Sequence, residues 1–236
     1  MKKLQILRKL EKYPVFGIRE LKNITGKEEY ARIIMHRLKK EGLIYEIERN
    51  RYTLKDNPLE FASSIVWPSY ISCWSALRFY NLTEQLPNDI FVITPRKRKK
   101  SVIKFKSAKI IFIKAGQKLF FGYKKERYGD SEIFIAEKEK AIIDSALFKT
   151  ASFSEIAGIV KENINEINTG ILAEYLLKIN DRALIKRVGF LLDSMGIDLH
   201  NKLKKAKGYN YVPLDYAMKS KGKKDKKWRV IVNAEP

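Results

Sequence analysis

Apolar residues recur at helical spacing near the start of the chain. Leu4, Leu7 and Leu10 lie three residues apart, which predicts a first helix. Pro14 ends it, because proline cannot continue a helix. A second, shorter helix is predicted over residues 18–23, with apolar anchors at both ends of its first turn.

A third helix, ending near Glu41, has the clearest amphipathic pattern. Its apolar positions follow the i, i+3, i+4, i+7 spacing of one helix face: Ala31, Ile34, Met35 and Leu38. Gly42 follows as a stop signal. Before the helix, Thr25-Gly26-Lys27-Glu28 has the form of a capping box, so we expect the Thr25 hydroxyl to accept a hydrogen bond from the Glu28 amide.

Two short β-prone stretches follow the third helix, at residues 43–48 and 52–54, on either side of Arg49-Asn50-Arg51. This arrangement predicts a β-hairpin. The order of helix, helix, turn, helix and hairpin is that of a winged helix-turn-helix DNA-binding domain. Because Asp56-Asn57-Pro58 is a turn signal, we place this domain at residues 1–56.

The second predicted domain, residues 57–236, opens with a helix over residues 69–80. Five short strands, rich in β-branched and aromatic residues, are then predicted at Ile90–Thr94, Val102–Phe105, Lys109–Ile113, Leu119–Tyr123 and Ile133–Ala136. Helices follow over residues 137–207, one of them opened by a capping box at Ser152-Phe153-Ser154-Glu155, and closing strands over residues 209–232. The predicted fold class is therefore α+β: a winged helix-turn-helix, then a larger mixed α/β domain with a short-stranded, basic sheet at residues 90–136 and a C-terminal helical cluster.

The charge balance points to a polyanionic partner. Lys and Arg total 48 against 27 Asp and Glu, which gives a net charge of +21. Such an excess predicts nucleic acid, and less often an anionic membrane or an acidic protein. Within the chain, residues 96–127 hold 13 basic residues and one acid, and a lysine-rich stretch at residues 219–227 is interpreted as a solvated loop or a source of nonspecific attraction.

The third helix and the hairpin supply the candidate DNA-binding residues. The helix face opposite the apolar stripe, its flanks and the hairpin tip carry Lys27, Arg32, Ile33, His36, Arg37, Lys40, Arg49 and Arg51. The same helix face also carries one acid, Glu29. An α-helix fits the major groove, where Arg donates twice to guanine, His bonds base edges and Ile touches a thymine methyl. Lys27 at the helix start suits a phosphate, and the hairpin arginines suit a phosphate or the minor groove. The alternative is that these residues form only the solvated face of a surface helix.

A second set of cations forms a candidate basic patch. Its members are Arg96, Lys97, Arg98, Lys99, Lys100, Lys104 and Lys106. The five adjacent cations repel one another and stay solvated unless an anion neutralises them. Strand alternation predicts Lys104 and Lys106 on one face and Ile103 and Phe105 on the other. This face suits a nucleic-acid backbone or an acidic protein, and the alternative is an ordinary solvated strand face.

No catalytic, metal or cofactor site is predicted. The one cysteine allows no internal disulfide, and the two histidines, His36 and His200, are far apart and lack metal-ligand spacing. The sequence has no Gly-rich phosphate loop and no G-x-S-x-G motif. Around the predicted strand Ile133–Ala136, a group of acids and lysines is similar to the carboxylate-plus-lysine arrangement of metal-dependent nucleases: Asp130, Glu132, Glu137, Lys138, Glu139 and Lys140. Glu137-Lys138-Glu139-Lys140 contains no acid-x-lysine triplet, so the start of a helix is the favoured interpretation.

The hydropathy pattern also predicts no membrane span, since no apolar run approaches the roughly 20 residues that a bilayer requires. The start of the chain is charged and lacks the apolar region of a signal peptide. We therefore expect a cytoplasmic protein.

Two longer segments, residues 70–82 (YISCWSALRFYNL) and residues 135–147 (IAEKEKAIIDSAL), add a family resemblance to these patterns. Together with the N-terminal winged helix, they resemble the AbiEi family of antitoxins, found in bacterial and archaeal toxin–antitoxin and phage-defence operons. The chain departs from the family at Asn81, where glycine is preferred, and at Glu137-Lys138-Glu139, where threonine-proline-glutamate is common.

The resemblance implies a winged helix that binds operator repeats in double-stranded DNA and represses its own operon. It further implies that residues 57–236 form an antitoxin domain that counteracts a nucleotidyltransferase-like toxin, directly or indirectly. The family offers no catalytic residues to transfer, so we expect a protein that is not an enzyme. The alternatives are a stand-alone regulator without a toxin, a metal-dependent nuclease, or an adaptor that binds an acidic protein through its basic sheet.

Overall fold

The computed structural model describes residues 3–84 and 89–235. Met1 and Lys2, which belong to the charged chain start considered above, lie outside the described residues. The chain forms two compact units: unit 1 contains residues 1–71, 88–115 and 125–135, and unit 2 contains residues 72–87, 116–124 and 136–236. The domain boundary expected after residue 56 falls inside unit 1 and stays a prediction.

Unit 1 begins with three helices and a hairpin. The helices are α1 (Lys3–Leu10), α2 (Ile18–Thr25) and α3 (Glu28–Lys40), and the hairpin strands are β1 (Tyr45–Glu48) and β2 (Arg51–Thr53). Their shared core is formed by Ile6, Leu10, Phe16, Leu21, Ala31, Ile34, Met35, Leu38 and Ile44. The order and packing of these elements are compatible with the predicted winged helix.

The junction between α2 and α3 differs from the predicted capping box. Thr25 is the last residue of α2, and its hydroxyl donates to the carbonyl of Leu21 at 2.9 Å instead of capping α3. Lys27 takes the position before α3 without a side-chain cap. The capping interaction expected at Thr25 is therefore wrong, because a threonine at a helix end satisfies a carbonyl of its own helix first.

The main sheet has six strands and lies mostly in unit 1. They are β3 (Tyr70–Ser72), β4 (Asp89–Thr94), β5 (Val102–Phe105), β6 (Ala108–Lys114), β7 (Tyr123–Tyr128) and β8 (Ser131–Ala136). Their order across the sheet is β5-β6-β4-β3-β8-β7, so β5 and β7 are the edges. β4 runs parallel to β6, with Val92 opposite Phe112, and β5 runs antiparallel to β6, with Ile103 opposite Ile110.

Unit 2 is a helical cluster with a small closing sheet. Its helices are α4 (Cys73–Phe79), α5 (Lys138–Leu147), α6 (Phe153–Glu162), α7 (Thr169–Ile179), α8 (Arg182–Ser194) and α9 (His200–Leu203). The closing sheet has the order β10-β11-β9 and consists of β9 (Val212–Pro213), β10 (Lys223–Asp225) and β11 (Val230–Val232). β10 lies within residues 219–227, the lysine-rich stretch that was predicted to be a loop, so part of this stretch is a strand instead.

A buried ion pair anchors α5 inside unit 2. Lys140 and Asp144 lie one turn apart, both side chains are fully buried, and the Lys140 ammonium donates to the Asp144 carboxylate. The Ser72 hydroxyl donates to the same carboxylate at 2.7 Å. Because isolated buried charges are costly, each partner requires the other to remain in the core.

The mixed α+β class is confirmed, while two predicted elements are wrong. Tyr70–Ser72, expected to be helical, is the strand β3, and the helix starts only at Cys73. The strand expected at Leu119–Tyr123 is displaced: Gln117–Leu119 is a single 3-10 turn, and β7 begins at Tyr123. The Ser152 capping box is confirmed, since the Glu155 carboxylate accepts from the Ser152 amide at 2.8 Å. None of the described helices is long and apolar enough to cross a membrane.

Candidate nucleic-acid interface

One side of α3 is buried in the core, and this determines which residues lie on its exposed side. Ala31, Ile34, Met35 and Leu38 face the core of the N-terminal helices. Successive helix positions turn by 100°, so the remaining residues must face outwards. The predicted contact residues of this segment are all exposed: Lys27, Arg32, Ile33, His36, Arg37 and Lys40. Ile33 exposes 49% of its surface, and on this face Arg37 lies one turn after it and the exposed Glu29 one turn before it.

Arg32 is held by an acidic residue of the same helix. Its Nη2 lies 2.8 Å from Glu28 Oε1, and Lys22 Nζ lies 3.2 Å from Glu28 Oε2. Hydrogen bonds from Arg32, and then from Lys22, lower the pKa of the Glu28 carboxyl. All three side chains are solvent-exposed, and exposed ion pairs contribute little, so a phosphate or a guanine can replace Glu28 as the partner of Arg32.

A groove of about 330 Å³ separates α3 from the hairpin. It is lined by Ile18, Arg32, Met35, His36, Lys39, Asn50 and Tyr52. Asn50 turns the hairpin with a left-handed backbone (φ 63°), a conformation that asparagine tolerates better than most residues. The groove therefore has cationic groups on its helix side and an amide on its hairpin side.

Lys39 connects α3 to the hairpin by an ion pair at the surface. Its ammonium donates to the Glu46 carboxylate of β1, and this hydrogen bond raises the pKa of Lys39. The helix and the hairpin are thus joined by a contact outside the core. Since both side chains are partly exposed, this ion pair adds little stability to the packing of the hairpin on α3.

The two hairpin arginines have different surroundings. Arg49 is exposed in the turn between β1 and β2. Arg51, in contrast, belongs to β2, where its guanidinium donates to the carbonyl of Ile65 and its Nε lies 3.3 Å from Glu48 Oε1. The expectation that Arg51 extends from the hairpin tip therefore needs correction, because internal acceptors bind its guanidinium.

The five adjacent cations of the basic patch also separate into two groups. Arg96, Lys97, Lys99 and Lys100 are exposed, and within residues 3–84 and 89–235 none of them forms an ion pair. Arg98 has only 13% of its side chain exposed, donates to Glu48 Oε2 at 2.7 Å and lies 4.1 Å from the centroid of the Phe112 ring. Arg98 is therefore a structural residue of unit 1, which corrects its assignment to the solvated patch.

Lys106 differs from its prediction in a similar way. The alternation of buried Ile103 and Phe105 with exposed Val102 and Lys104 agrees with the expected two faces of β5. β5 ends at Phe105, however, and Lys106 turns with φ 52° to pair with Asp56 and to place its ammonium 3.9 Å from the Tyr45 ring centroid. Lys106 therefore does not continue the charged strand face.

Lys104, unlike Lys106, has a second lysine as its neighbour. It lies opposite Lys109 in the β5–β6 register, and both side chains are exposed. Like charges directly opposite each other on a sheet repel, and an anion between them would remove that repulsion. Lys104 and Lys109 therefore form a further anion-attracting pair.

The carboxylates of the nuclease-like segment are engaged in structural contacts. Glu137 accepts a hydrogen bond from the Tyr175 hydroxyl, and burial, followed by this hydrogen bond, raises the pKa of Tyr175. Glu139 is buried and accepts from the Asn168 amide at 2.7 Å, and Lys138 lies 2.6 Å from Glu166. In the described part of the chain, no group of three or more His, Cys, Asp or Glu residues is arranged to hold a metal ion.

The chain matches no family model and no curated protein.

Proposed function

We propose that this chain is a DNA-binding transcription regulator that lays α3 in the major groove, and an antitoxin that represses its own operon. The observation that carries the first half is the outward face of α3, where exposed cations lie near the exposed Ile33 and the carboxylate of Glu29 lies one turn before it. At 1.5 Å per residue, a helix of 13 residues is about 20 Å long, enough to contact several base pairs.

In this proposal, the residues of α3 divide the work by position. Lys27 and Lys40 stand at the two ends of the exposed face and bind phosphates, which fixes the register of the helix. Ile33, His36 and Arg37 lie between them and read base edges. Arg49 of the hairpin turn binds the neighbouring backbone, and the exposed members of the basic patch add electrostatic attraction that is independent of sequence.

The antitoxin half rests on the AbiEi resemblance of residues 70–82 and 135–147. It assigns to the protein the task of counteracting a nucleotidyltransferase-like toxin, either by contact or by an indirect route. The two halves are separable, because a regulator without a toxin needs only the DNA-binding face.

The DNA-binding half is tested by titrating the full chain with labelled duplex from upstream of its own gene and with a scrambled duplex of equal composition. We expect the parent protein to prefer the upstream duplex. Arg37→Ala should lower affinity for the upstream duplex about 5- to 100-fold, the loss expected for one good base contact. Lys9→Ala, an exposed cation of α1, is the matched control and should change neither affinity more than twofold. Equal affinity of the parent for both duplexes would remove the specific-regulator function.

The antitoxin half is tested by expressing the neighbouring gene with and without this chain. We expect the neighbour to stop growth and the chain to restore it, and we expect Arg37→Ala to restore it as well. A toxic neighbour that the chain does not counteract would contradict the antitoxin half, while leaving the DNA-binding half unaffected.

A further inference from the structure

Two tyrosines with unusual surroundings lie in unit 2, just before β9. Tyr209 exposes 86% of its surface, so its ring contributes little to packing. Tyr211 follows two residues later, with Lys224 Nζ 5.3 Å and Arg229 Cζ 5.6 Å from the centroid of its ring. Both distances are within the range of cation–π contacts. The two rings thus lie on one short segment, residues 207–211, which we call the tyrosine segment, and the cations over Tyr211 come from β10 and from the residue before β11.

The tyrosine segment is held in place along its length. The Lys186 ammonium of α8 donates to the carbonyl of Asn210, between the two tyrosines. At one end of the segment, the Lys207 ammonium donates to the carbonyl of Lys227, and just past the other end the Val212 amide donates to the carbonyl of Arg229 at 3.1 Å. Since these bonds order the backbone in advance, a ligand would lose less entropy on binding there.

Positive charge is concentrated behind the tyrosine segment. Lys186 is 2% exposed and its bonded partner is a neutral carbonyl. Burial first, and then the cations of Arg182 and Lys207, lower the pKa of Lys186. The neighbouring carboxylate of Asp225 accepts from the Trp228 amide at 2.6 Å. Residues 202–235 hold 11 basic residues and three acidic ones, so this part of unit 2 attracts anions.

We propose that the tyrosine segment, with Lys224 and Arg229, is a binding site for single-stranded nucleic acid. Unpaired bases expose flat faces that stack on tyrosine, and the phosphates between them suit flanking cations. A duplex hides those faces inside its own stack, so α3 and the tyrosine segment bind different forms of nucleic acid. An acidic protein would match the charge, but the carboxylates that give it that charge do not stack on the Tyr209 ring as bases do.

The stacking part is tested with the full chain and labelled 12-nucleotide oligo(dT) and oligo(U), followed by fluorescence anisotropy. We expect Tyr209→Ala to weaken binding of both single strands about 5- to 100-fold, the loss measured for one stacked base. Tyr209→Phe should retain the parent affinity, because phenylalanine keeps the ring. Tyr13→Ala, which removes an exposed tyrosine of unit 1, is the matched control and should have no effect. Tighter binding of oligo(U) than of oligo(dT) would support the site and indicate that its ligand is RNA.

The charge part is tested by Lys224→Gln, which should weaken single-strand binding and reduce the slope of log affinity against log salt by about 0.7. Upstream duplex in the same assay separates this site from α3, since duplex affinity should be unchanged in the Tyr209 variants. Single-strand affinity that stays within twofold of the parent in Tyr209→Ala would overturn the proposal. So would displacement of the oligonucleotide by polyglutamate at equal charge concentration, which would identify an acidic protein as the partner class.

Discussion

Cys73 begins α4 with a left-handed backbone (φ 53°), and its side chain is completely buried. Burial, and secondly the Asp144 carboxylate, raise the pKa of the Cys73 thiol to about 12. The reactive form of cysteine is the thiolate, and at neutral pH almost none is present here. The Cys73 thiol is therefore unreactive while the protein is folded.

We expect Cys73 to resist a disulfide reagent such as dithionitrobenzoate at pH 8 and to react fully once the chain is unfolded in concentrated urea. Following the absorbance of the released thiolate gives both rates. Rapid, complete labelling of the folded protein would contradict the burial of this thiol.

Single residues also show where sequence reasoning stops. The sequence identified the cations of the candidate interface, and all of those predicted on α3 are exposed. It did not identify the partners of Arg98 and Lys106, because Glu48 and Asp56 each lie fifty positions away along the chain. The residues next to a cation in the sequence contain no information about a partner so distant. Only the three-dimensional structure shows whether the cation is solvated or paired.

Gly189 of α8 leaves room for the ring of Trp228. A Cβ atom at Gly189 would lie 2.1 Å from the ring of Trp228, which is completely buried. Gly158, in the middle of α6, has nothing within 4 Å of the same position. Both glycines lie inside helices, so alanine has the same effect on helix propensity at each. A difference in stability between the two alanine variants therefore measures the effect of packing.

We expect Gly189→Ala to lower the free energy of unfolding by about 1 to 3 kcal/mol, because the added methyl overpacks against Trp228. Gly158→Ala should instead raise it by about 0.5 to 1 kcal/mol, since alanine restricts the unfolded chain and favours the helix. Urea unfolding of both variants measures the difference. A Gly189→Ala protein as stable as the parent would show that Trp228 can move aside.

Elements with strong local signals were predictable, and those determined by tertiary position were not. α3 and α6 follow from apolar spacing and from the Ser152 capping box. β3 was missed because its three residues are all buried, and a short apolar run does not distinguish a strand from a buried helix. β7, with the sequence YKKERY, is an edge strand, and edge strands are commonly charged, so its composition suggests a loop.

For the whole molecule, the net charge of +21 predicts that DNA affinity falls steeply as salt rises. The structure divides the patch cations into exposed and internal ones, so two adjacent residues should behave differently. Lys97→Gln should reduce the slope of log affinity against log salt by about 0.9, the value for one lost phosphate contact, while leaving stability unchanged.

Arg98→Gln should leave that slope unchanged and lower the free energy of unfolding by about 1 to 2 kcal/mol, because Glu48 and Phe112 lose a largely buried partner. Anisotropy titrations at several salt concentrations and urea unfolding supply the two readouts. Equal slopes for Lys97→Gln and the parent would exclude Lys97 from the DNA contact.

The segment from Arg96 to Lys100 joins β4 to β5 and offers several exposed cleavage points for trypsin. β4 stays hydrogen-bonded to β6 from Asp89 opposite Lys109 to Thr94 opposite Lys114, so the strand before the cut is held by a strand after it. Digestion there would yield two fragments on a denaturing gel that still migrate together in native buffer. We therefore expect the peptide bonds of this segment to be dispensable for cohesion and the chain to tolerate new ends there.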